Sequence, residues 1–364
     1  MKLGIVGLPN VGKSTLFNAL TAAGADVANY PFCTIEPNVG IVPVPDPRLD
    51  HLAEIFKPKK KTPATVTFVD IAGLVEGASK GEGLGNKFLG NIRECDAIVH
   101  MVRAFKDENV THVYGNVDVI RDVKAIETEL ILADYEQVER RLQKVEKQAK
   151  SGEKKARQEL EVLAELLKHL DQAKPARQFA LGAEHPELMK ELFLLSNKPI
   201  LYLANIAESE LGQELAELAE LKAYAAEQNA EVISLCSKVE ADLQALEPDE
   251  RELFMADLGL SESGLDQVIK AAYSLLGYIS YFTTGEDECR AWTIVDGTLA
   301  PQAAGKIHSD FERGFIRAEC INYEKFVNEA ECSLVKAKER GLYRSEGKDY
   351  LVKDGDMLLF RFNV

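Results

Sequence analysis

The 364-residue sequence lacks the cysteine patterns of a disulfide framework or a zinc site. Its six cysteines form no Cys-x-x-Cys pair and show no metal-ligand spacing, which favours reduced thiols. The sequence also lacks any apolar run as long as a membrane span, and it has a single tryptophan. We therefore expect a soluble globular protein of the cytoplasm that does not bind membranes.

Positive charge is also scarce. Lys and Arg number 43 against 59 Asp and Glu, so the net charge of -16 repels nucleic acid. Contact with RNA would need a local basic patch, either the predicted loop Lys57–Lys61 or a second group of basic residues. That group comprises Lys144, Lys147, Lys150, Lys154, Lys155 and Arg157. Neither patch is interleaved with aromatic residues, so solvated lysines are the alternative interpretation.

Apolar segments predict buried parallel strands along the first two thirds of the chain. They are Leu3–Val6, Thr65–Ile71, Ala97–Val102, Pro199–Leu203 and Glu231–Leu235. Because the first strand begins at once, we expect no signal peptide. Helical stretches such as Glu210–Glu227 lie between the strands, which is typical of an α/β doubly wound sheet.

The interval between the third and fourth strands is much longer than one crossover helix requires. Residues 122–170 are rich in Glu, Lys, Leu and Ala, and their one turn signal is Lys150–Glu153. Ile126, Leu130 and Ala133 begin a helical row whose apolar character fades outward. The pattern predicts an antiparallel helical hairpin projecting as an arm, although a charged, solvated face without a partner is an equal alternative.

Beyond Gly277 the pattern changes to short strands separated by turn signals, which predicts a small α+β domain. The strands are Ile279–Thr283, Ala291–Val295, Phe315–Ile321 and Met357–Phe362, with one short helix at His308–Glu312. The predicted domains are therefore an α/β domain of residues 1–120 and 195–277, a helical insertion of residues 121–194, and a C-terminal domain of residues 278–364.

Residues 7–15 fit the phosphate-loop motif G-x-x-x-x-G-K-[ST], and they lie between a predicted strand and a predicted helix. The backbone N–H groups of such a loop surround phosphates, and the Lys side chain contacts the β and γ oxygens. Ser14 is the expected Mg²⁺ ligand. The residues expected to bind the nucleotide here are Asn10, Val11, Gly12, Lys13, Ser14 and Thr15.

The second motif, Asp70-x-x-Gly73, ends the next predicted strand of the sheet. There Asp70 can hold a water bound to magnesium, and the Gly73 amide can contact the γ-phosphate. Thr34 lies between the two motifs in a predicted loop, where its hydroxyl could complete the metal shell. An ordinary loop threonine is the alternative.

The segment Asn205–Glu208 stands where guanine-binding relatives have Asn-Lys-x-Asp. An ionised carboxylate cannot pair with the N1 acceptor of adenine, whereas the Asn205 amide and the Ile206 carbonyl can pair with that base. The longer Glu208 would leave guanine donors unpaired, at about 1–3 kcal/mol each. We therefore expect ATP in preference to GTP, with Ser234 and Cys236 closing the other side of the base.

Leu74 occupies the position at which Ras-type enzymes have the glutamine that orients water. Hydrolysis must then be slow or must depend on another side chain, on a monovalent cation such as K⁺ near Asn10, or on a partner. His112 is the candidate catalytic side chain, although a lone histidine is more often a surface residue.

These motifs together resemble the YchF family of Obg-like ATPases over essentially the full chain. The run Gly77–Asn86, the Asn-x-x-Glu of residues 205–208 and Leu74 are the most specific. The resemblance implies a G domain that binds ATP and hydrolyses it slowly, a coiled-coil arm and a C-terminal TGS domain of ubiquitin-like fold. It also implies association with the ribosome, either the large subunit or the whole particle.

We expect a molecular switch whose ATP-bound state is recognised by the ribosome. Three alternatives remain: an Obg-type GTPase with a role in RNA binding, a small-molecule kinase, and a scaffold with vestigial nucleotide affinity. A kinase needs an acceptor pocket, and no further acid-rich motif suggests one. The intact Lys13, Ser14 and Asp70 argue against the scaffold. We expect the protein to be a monomer.

Overall fold

The structure is a computed structural model that describes residues 2–23, 38–71, 84–150 and 154–363. Thr34, Gly73 and Leu74 lie outside these ranges, as do residues 77–83 of the run Gly77–Asn86 and residues 151–153 of the predicted turn. The five cysteines within the ranges are free thiols. In the described part of the chain, no helix is long and apolar enough to span a membrane, and no group of three or more His, Cys, Asp or Glu could hold a metal ion.

The strands are named in chain order. They are β1 (Lys2–Val6), β2 (Val39–Pro43), β3 (Lys60–Thr62), β4 (Thr65–Asp70), β5 (Ala97–Arg103), β6 (Ile200–Asn205), β7 (Glu231–Leu235), β8 (Tyr278–Thr283), β9 (Glu288–Val295), β10 (Phe315–Asn322), β11 (Arg344–Glu346) and β12 (Asp356–Phe362).

The α-helices are named in the same way. They are α1 (Lys13–Ala23), α2 (Pro47–Phe56), α3 (Leu84–Arg93), α4 (Val119–Lys150), α5 (Lys154–Asp171), α6 (Pro186–Leu192), α7 (Ala216–Ala226), α8 (Ser237–Gln244), α9 (Pro248–Asp257), α10 (Gly264–Leu275), α11 (Ala300–Ile307), α12 (Ser309–Arg313), α13 (Tyr323–Asn328) and α14 (Leu334–Glu339).

The first sheet has the strand order β2-β4-β1-β5-β6-β7. The pairs β1–β4, β1–β5, β5–β6 and β6–β7 are all parallel, which confirms the predicted α/β doubly wound class. Every residue of β5 is buried, as expected for a central strand covered on both faces. The carboxyl ends of β1, β4, β5 and β6 therefore lie along one edge of the sheet, which is where such folds bind ligands.

Helices α4 and α5 pack against each other along their length and form the predicted hairpin. Their apolar positions, including Val138, Leu163 and Leu166, share one buried cluster with residues of α6. Ile126 and Leu130 are also buried, in agreement with the predicted helical row. The hairpin is thus held by hydrophobic burial as well as by the charges on its surface.

The second sheet has the order β11-β10-β12-β8-β9-β3 and mixes antiparallel with parallel pairs. Apolar residues of its strands pack with α11 in one cluster that includes Tyr281, Ala303 and Phe360. The predicted loop Lys57–Lys61 is partly wrong, because Lys60–Thr62 form strand β3 and pair with β9. A three-residue strand made largely of lysine carries no periodicity that a sequence pattern could reveal.

The chain separates into two compact units. The first comprises Met1–Ile41 and Thr67–Val268, and the second comprises Val42–Val66 and Ile269–Val364. The second unit therefore includes α2 and β3 together with the C-terminal strands. The sequence-based boundaries of residues 1–120, 121–194, 195–277 and 278–364 stay a prediction.

Candidate functional site

Residues 7–12 connect β1 to α1 in a tight loop at the edge of the first sheet, and residues 13–15 begin α1. Asn10 and Gly12 have positive φ angles of 63° and 98°. A Cβ atom on Gly7 would lie 2.6 Å from the Met101 carbonyl oxygen, and one on Gly12 would lie 2.3 Å from the Asn205 amide nitrogen. The two motif glycines are therefore required by close packing, and Gly12 also by its backbone conformation.

Lys13 and Ser14 are the first two residues of α1, so their N–H groups belong to the positive end of a helix. The Lys13 ammonium donates a hydrogen bond to Asp70, with 2.7 Å between Nζ and Oδ1. Asp70 ends β4, which pairs with β1 through Ile5. Sheet pairing thus brings together two motif residues that lie 57 positions apart in the chain.

The residues of this loop line a cavity of about 390 Å³. A larger cavity of about 1220 Å³ lies at the base of the helical hairpin and includes Arg177 and Gln228 in its wall. The smaller cavity is the candidate site because it has the lysine of the phosphate-loop motif, a helix N-terminus and the exposed Ser14. Ser14 and Asp70 supply the oxygen ligands that Mg²⁺ prefers, so the residues present fit that ion.

Asn205 ends β6 and is buried. Its amide nitrogen donates to the Val11 carbonyl at 2.9 Å, and its amide oxygen accepts from the Ser237 N–H at 2.9 Å. The side chain therefore joins the phosphate loop to the segment after β7. One amide N–H and one lone pair of the amide oxygen are left for a base, so the side chain can still offer it one donor and one acceptor.

The other predicted base-site residues lie around Asn205. Ile206 is buried and donates its N–H to the Leu235 carbonyl at 2.9 Å, while the Glu208 side chain is exposed. Ser234 is exposed on β7. The Cys236 side chain packs in an apolar cluster with α8, so it would offer its backbone rather than its thiol to a base. The predicted roles of these residues stay predictions.

His112 lies in the segment between β5 and α4 and is buried. Its Nε2 atom is 2.8 Å from Asp122 Oδ2, and its Nδ1 atom accepts from the Tyr114 N–H at 3.2 Å. Because Nδ1 accepts, Nε2 carries the proton and donates it to Asp122. Both ring nitrogens are thus engaged within the protein, and His112 could polarise water only after one of these bonds opened. Its catalytic role stays a prediction.

Two residues connected with the phosphate loop were not identified from the sequence motifs. Arg103 is buried at the carboxyl end of β5, and the Thr111 carbonyl accepts a hydrogen bond from the Asn10 side chain at 3.1 Å. Arg103 could have been identified because it is a charged residue at the end of an otherwise apolar strand. No signal exists for Thr111, because its contact uses only the backbone.

The fold and the loop define the chain as a P-loop nucleotide-binding protein of the α/β class. A family model described as 50S ribosome-binding GTPase matches residues 2–238, and the YchF-GTPase_C model, described as a protein of unknown function, matches residues 278–363. The Ribosome-binding ATPase YchF of Bacillus subtilis is 56% identical, with 99% of each chain covered. The protein of that name from Escherichia coli O157:H7 is 54% identical, over 100% of this chain and 99% of its own.

Among solved structures, the YchF GTPase of Schizosaccharomyces pombe superposes with a TM-score of 0.88 at 38% identity. That alignment covers 99% of this chain and 97% of the yeast chain. The chain belongs to the YchF family. The resemblance inferred from residues 7–15, 70–86 and 205–208 is thereby confirmed.

Proposed function

We propose that this protein is an ATPase that binds ATP with Mg²⁺, hydrolyses it slowly and acts as a nucleotide-dependent switch associated with the ribosome. The observation that carries the proposal is the phosphate loop, whose Lys13 lies 2.7 Å from Asp70 and whose Val11 carbonyl is held by Asn205. The names of the bacterial relatives, ribosome-binding ATPases that match over the full chain, support the nucleotide and the partner.

In the proposed mechanism the loop N–H groups and Lys13 hold the β- and γ-phosphates, while the Asn205 amide fixes the loop against the base site. Ser14 and Asp70, with Thr34 as a third candidate, would hold Mg²⁺, which neutralises phosphate charge when bound. Gly73 is the proposed contact to the γ-phosphate. A requirement for K⁺ near Asn10 is tested by exchanging potassium for sodium in the hydrolysis assay.

We also propose, from the family resemblance, that α4 and α5 form a coiled-coil arm and that the C-terminal domain is a TGS domain. The same resemblance leads us to propose a monomeric protein located in the cytoplasm. Contact with RNA is least supported at Lys59 and Lys61, whose ammonium groups already pair with Asp287 and Asp50. The basic residues of α4 and α5 are the better candidates for such contact.

Calorimetric titration with ATP and with GTP, both in Mg²⁺, tests the base preference, and Lys13→Ala is the control that should lose binding to both. We expect tighter binding of ATP. The yeast relative is named a GTPase, and tighter binding of GTP would assign this chain to that activity instead. The double substitution Ile206→Lys with Glu208→Asp should shift preference toward GTP if residues 205–208 frame the base.

Co-sedimentation with purified ribosomes, with and without nucleotide, tests the partner. Ribosome binding that depends on the nucleotide supports the switch. Radiolabelled phosphate that appears on an added metabolite, with no ribosome binding, would instead indicate a small-molecule kinase.

A further inference from the structure

Arg103 is a buried charged residue at the carboxyl end of β5, and it is only 2% exposed. Its guanidinium donates to three backbone carbonyls: Phe105 at 3.1 Å, Asp107 at 2.9 Å and Val110 at 2.9 Å. The same group lies over the Phe105 ring, 4.4 Å from its centroid. One side chain therefore holds residues 105–110, the first part of the segment that leaves β5, at three points.

Within the part of the chain that the structure describes, all of the hydrogen-bond acceptors of Arg103 are neutral carbonyls. Burial of a charge usually costs several kcal/mol unless an opposite charge compensates it, and neutral dipoles and an aromatic face compensate only in part. A methionine would fill much of the same volume without that cost. The arginine is better explained by the loop conformation that its three hydrogen bonds impose than by a gain in stability.

The residue after Val110 connects this segment to the phosphate loop. Thr111 accepts a hydrogen bond from the Asn10 side chain at 3.1 Å, and Asn10 holds a left-handed φ of 63°. Such a conformation costs an L-residue free energy, which a side-chain hydrogen bond offsets. Arg103 and Asn10 thus hold adjacent carbonyls of the same short segment.

His112, the residue after Thr111, is also held by a hydrogen bond, because its ring donates to Asp122 of α4. The Val110–His112 segment is therefore bonded to the end of β5, to the phosphate loop and to the first hairpin helix. On the other side of the loop, the Gly7 backbone lies against the Met101 carbonyl of β5. All of these residues belong to the first compact unit.

We propose that Arg103 is a positioning residue for nucleotide binding. It fixes Val110 and Thr111 so that the Thr111 carbonyl can hold Asn10, and through Asn10 it sets the orientation of the N–H groups that receive phosphate. Arg103 acts through these residues and does not contact the nucleotide. The inference rests on the proposed nucleotide-binding function.

A double-mutant cycle tests whether Arg103 acts on nucleotide binding through Asn10. Arg103→Met removes the donors at similar length, and Asn10→Gly removes the side-chain bond while tolerating the positive φ. Each single variant should weaken binding of ATP with Mg²⁺ by about tenfold, the equivalent of one hydrogen bond. Because both break the same connection, Arg103→Met should have no further effect on affinity in the Asn10→Gly background.

Arg177→Met is the control for the loss of a buried arginine, because Arg177 is also nearly buried and pairs with Glu127 as well as with Ser196 and Gln228. It should lower the free energy of unfolding without changing the affinity for ATP. If Arg103→Met does not fold, Arg103→Lys retains the charge and part of the donor set, and it should give a smaller loss of affinity that Asn10→Gly again abolishes.

Additive losses in the cycle, or an Arg103 variant that binds ATP like the original chain, would overturn the inference. Equal losses of affinity in Arg103→Met and Arg177→Met would also overturn it, because the effect would then be general destabilisation. The proposed function itself would be contradicted by a different result, namely that the unsubstituted chain binds neither ATP nor GTP.

Discussion

At the residue scale, Lys13 and Asp70 pair with each other, and each is also proposed to bind a second group. Lys13 bonds Asp70 at 2.7 Å, whereas in the proposed function the nucleotide phosphates need the ammonium and Mg²⁺ needs the carboxylate. A nucleotide that arrives without Mg²⁺ has to compete with Asp70 for Lys13, and its phosphates meet an uncompensated carboxylate. Magnesium and nucleotide binding should therefore be coupled through this pair.

The variant Asp70→Asn should bind ATP more tightly than the original chain when EDTA removes Mg²⁺, by about tenfold if one charged contact is relieved. Addition of Mg²⁺ should then strengthen its binding much less than it strengthens binding to the original chain. Calorimetric titrations in EDTA and in Mg²⁺ measure both effects. Equally weak binding by both proteins in EDTA would show that Asp70 does not compete for Lys13.

A second residue-scale prediction concerns His100 on β5. The ring is buried, and within the described residues neither nitrogen has a hydrogen-bond partner. Burial lowers its pKa to about 4; the nearby Glu127 carboxylate opposes this shift, and the Arg177 cation adds to it. Above pH 6.5 the imidazole is neutral in both states, but between pH 6.5 and 4 the unfolded chain binds the proton more readily. His100 therefore reduces stability as the pH falls through this window.

Substitution His100→Leu removes both unpartnered nitrogens at similar volume. We expect the free energy of unfolding at pH 7 to be unchanged or higher, and its decline between pH 7 and pH 5 to become shallower. Urea unfolding at the two pH values measures this. A loss of more than about 2 kcal/mol at pH 7 would indicate that the ring has a structural role that its contacts do not reveal.

At the same scale, the motif residues were predictable because their identity and spacing follow from phosphate chemistry. The role of Asn205 was predicted only in part. Its amide holds Val11, which lies 194 positions away, and that bond occupies a group expected to read the base. Spacing along a strand cannot reveal such a contact, because it depends on how β6 lies relative to the phosphate loop.

At the scale of elements, the start of α10 depends on a residue of α8. Glu240 is 2% exposed and accepts from the Gly264 and Leu265 N–H groups at 2.7 and 3.2 Å. It thereby satisfies two donors that the first turn of α10 leaves unpaired. Substitution Glu240→Ala should cost about 2–4 kcal/mol, and Glu240→Gln should cost less because an acceptor oxygen remains.

Urea unfolding checks this prediction, with Glu250→Ala as the control. Glu250 is an exposed acid in the first turn of α9, and its loss should change stability by no more than about 0.5 kcal/mol. Similar losses for Glu240→Ala and Glu250→Ala would rule out a capping role. The substitution Gly264→Ala should also destabilise the protein, since its Cβ would lie 2.7 Å from Glu240 Oε1.

Long elements were the easier ones to predict. The hairpin of α4 and α5 has enough residues for a helical row to be visible, and Ile126 and Leu130 are buried as that row requires. Strand β3 and helix α2 were missed. The first is short and lysine-rich, and the second lies in a segment whose apolar residues, such as Leu49 and Leu52, are too few to establish a period.

At the scale of the whole molecule, residues 42–66 complete the C-terminal unit although they lie far from it in the chain. Strand β3 pairs with β9, and Phe56 of α2 stacks on Phe326 with the ring centroids 5.8 Å apart. Arg48 donates to Asp354 at 2.6 Å and lies over the Phe282 ring. A boundary drawn along the sequence at residue 278 therefore omits part of the core of this unit.

A fragment of residues 278–364 should consequently fold poorly, because it exposes Phe282 and Phe326 and leaves the β9 edge unpaired. Addition of a peptide of residues 42–66 should restore native-like amide dispersion in the NMR spectrum of the fragment, and the same peptide with Arg48→Ala and Phe56→Ala should restore much less. A fragment that unfolds cooperatively without the peptide would show that the C-terminal domain folds by itself and does not require α2 and β3. Restoration by the intact peptide alone would mean that the C-terminal unit folds only when residues 42–66 contribute to it, so that its stability depends on a segment more than 200 residues away in the chain.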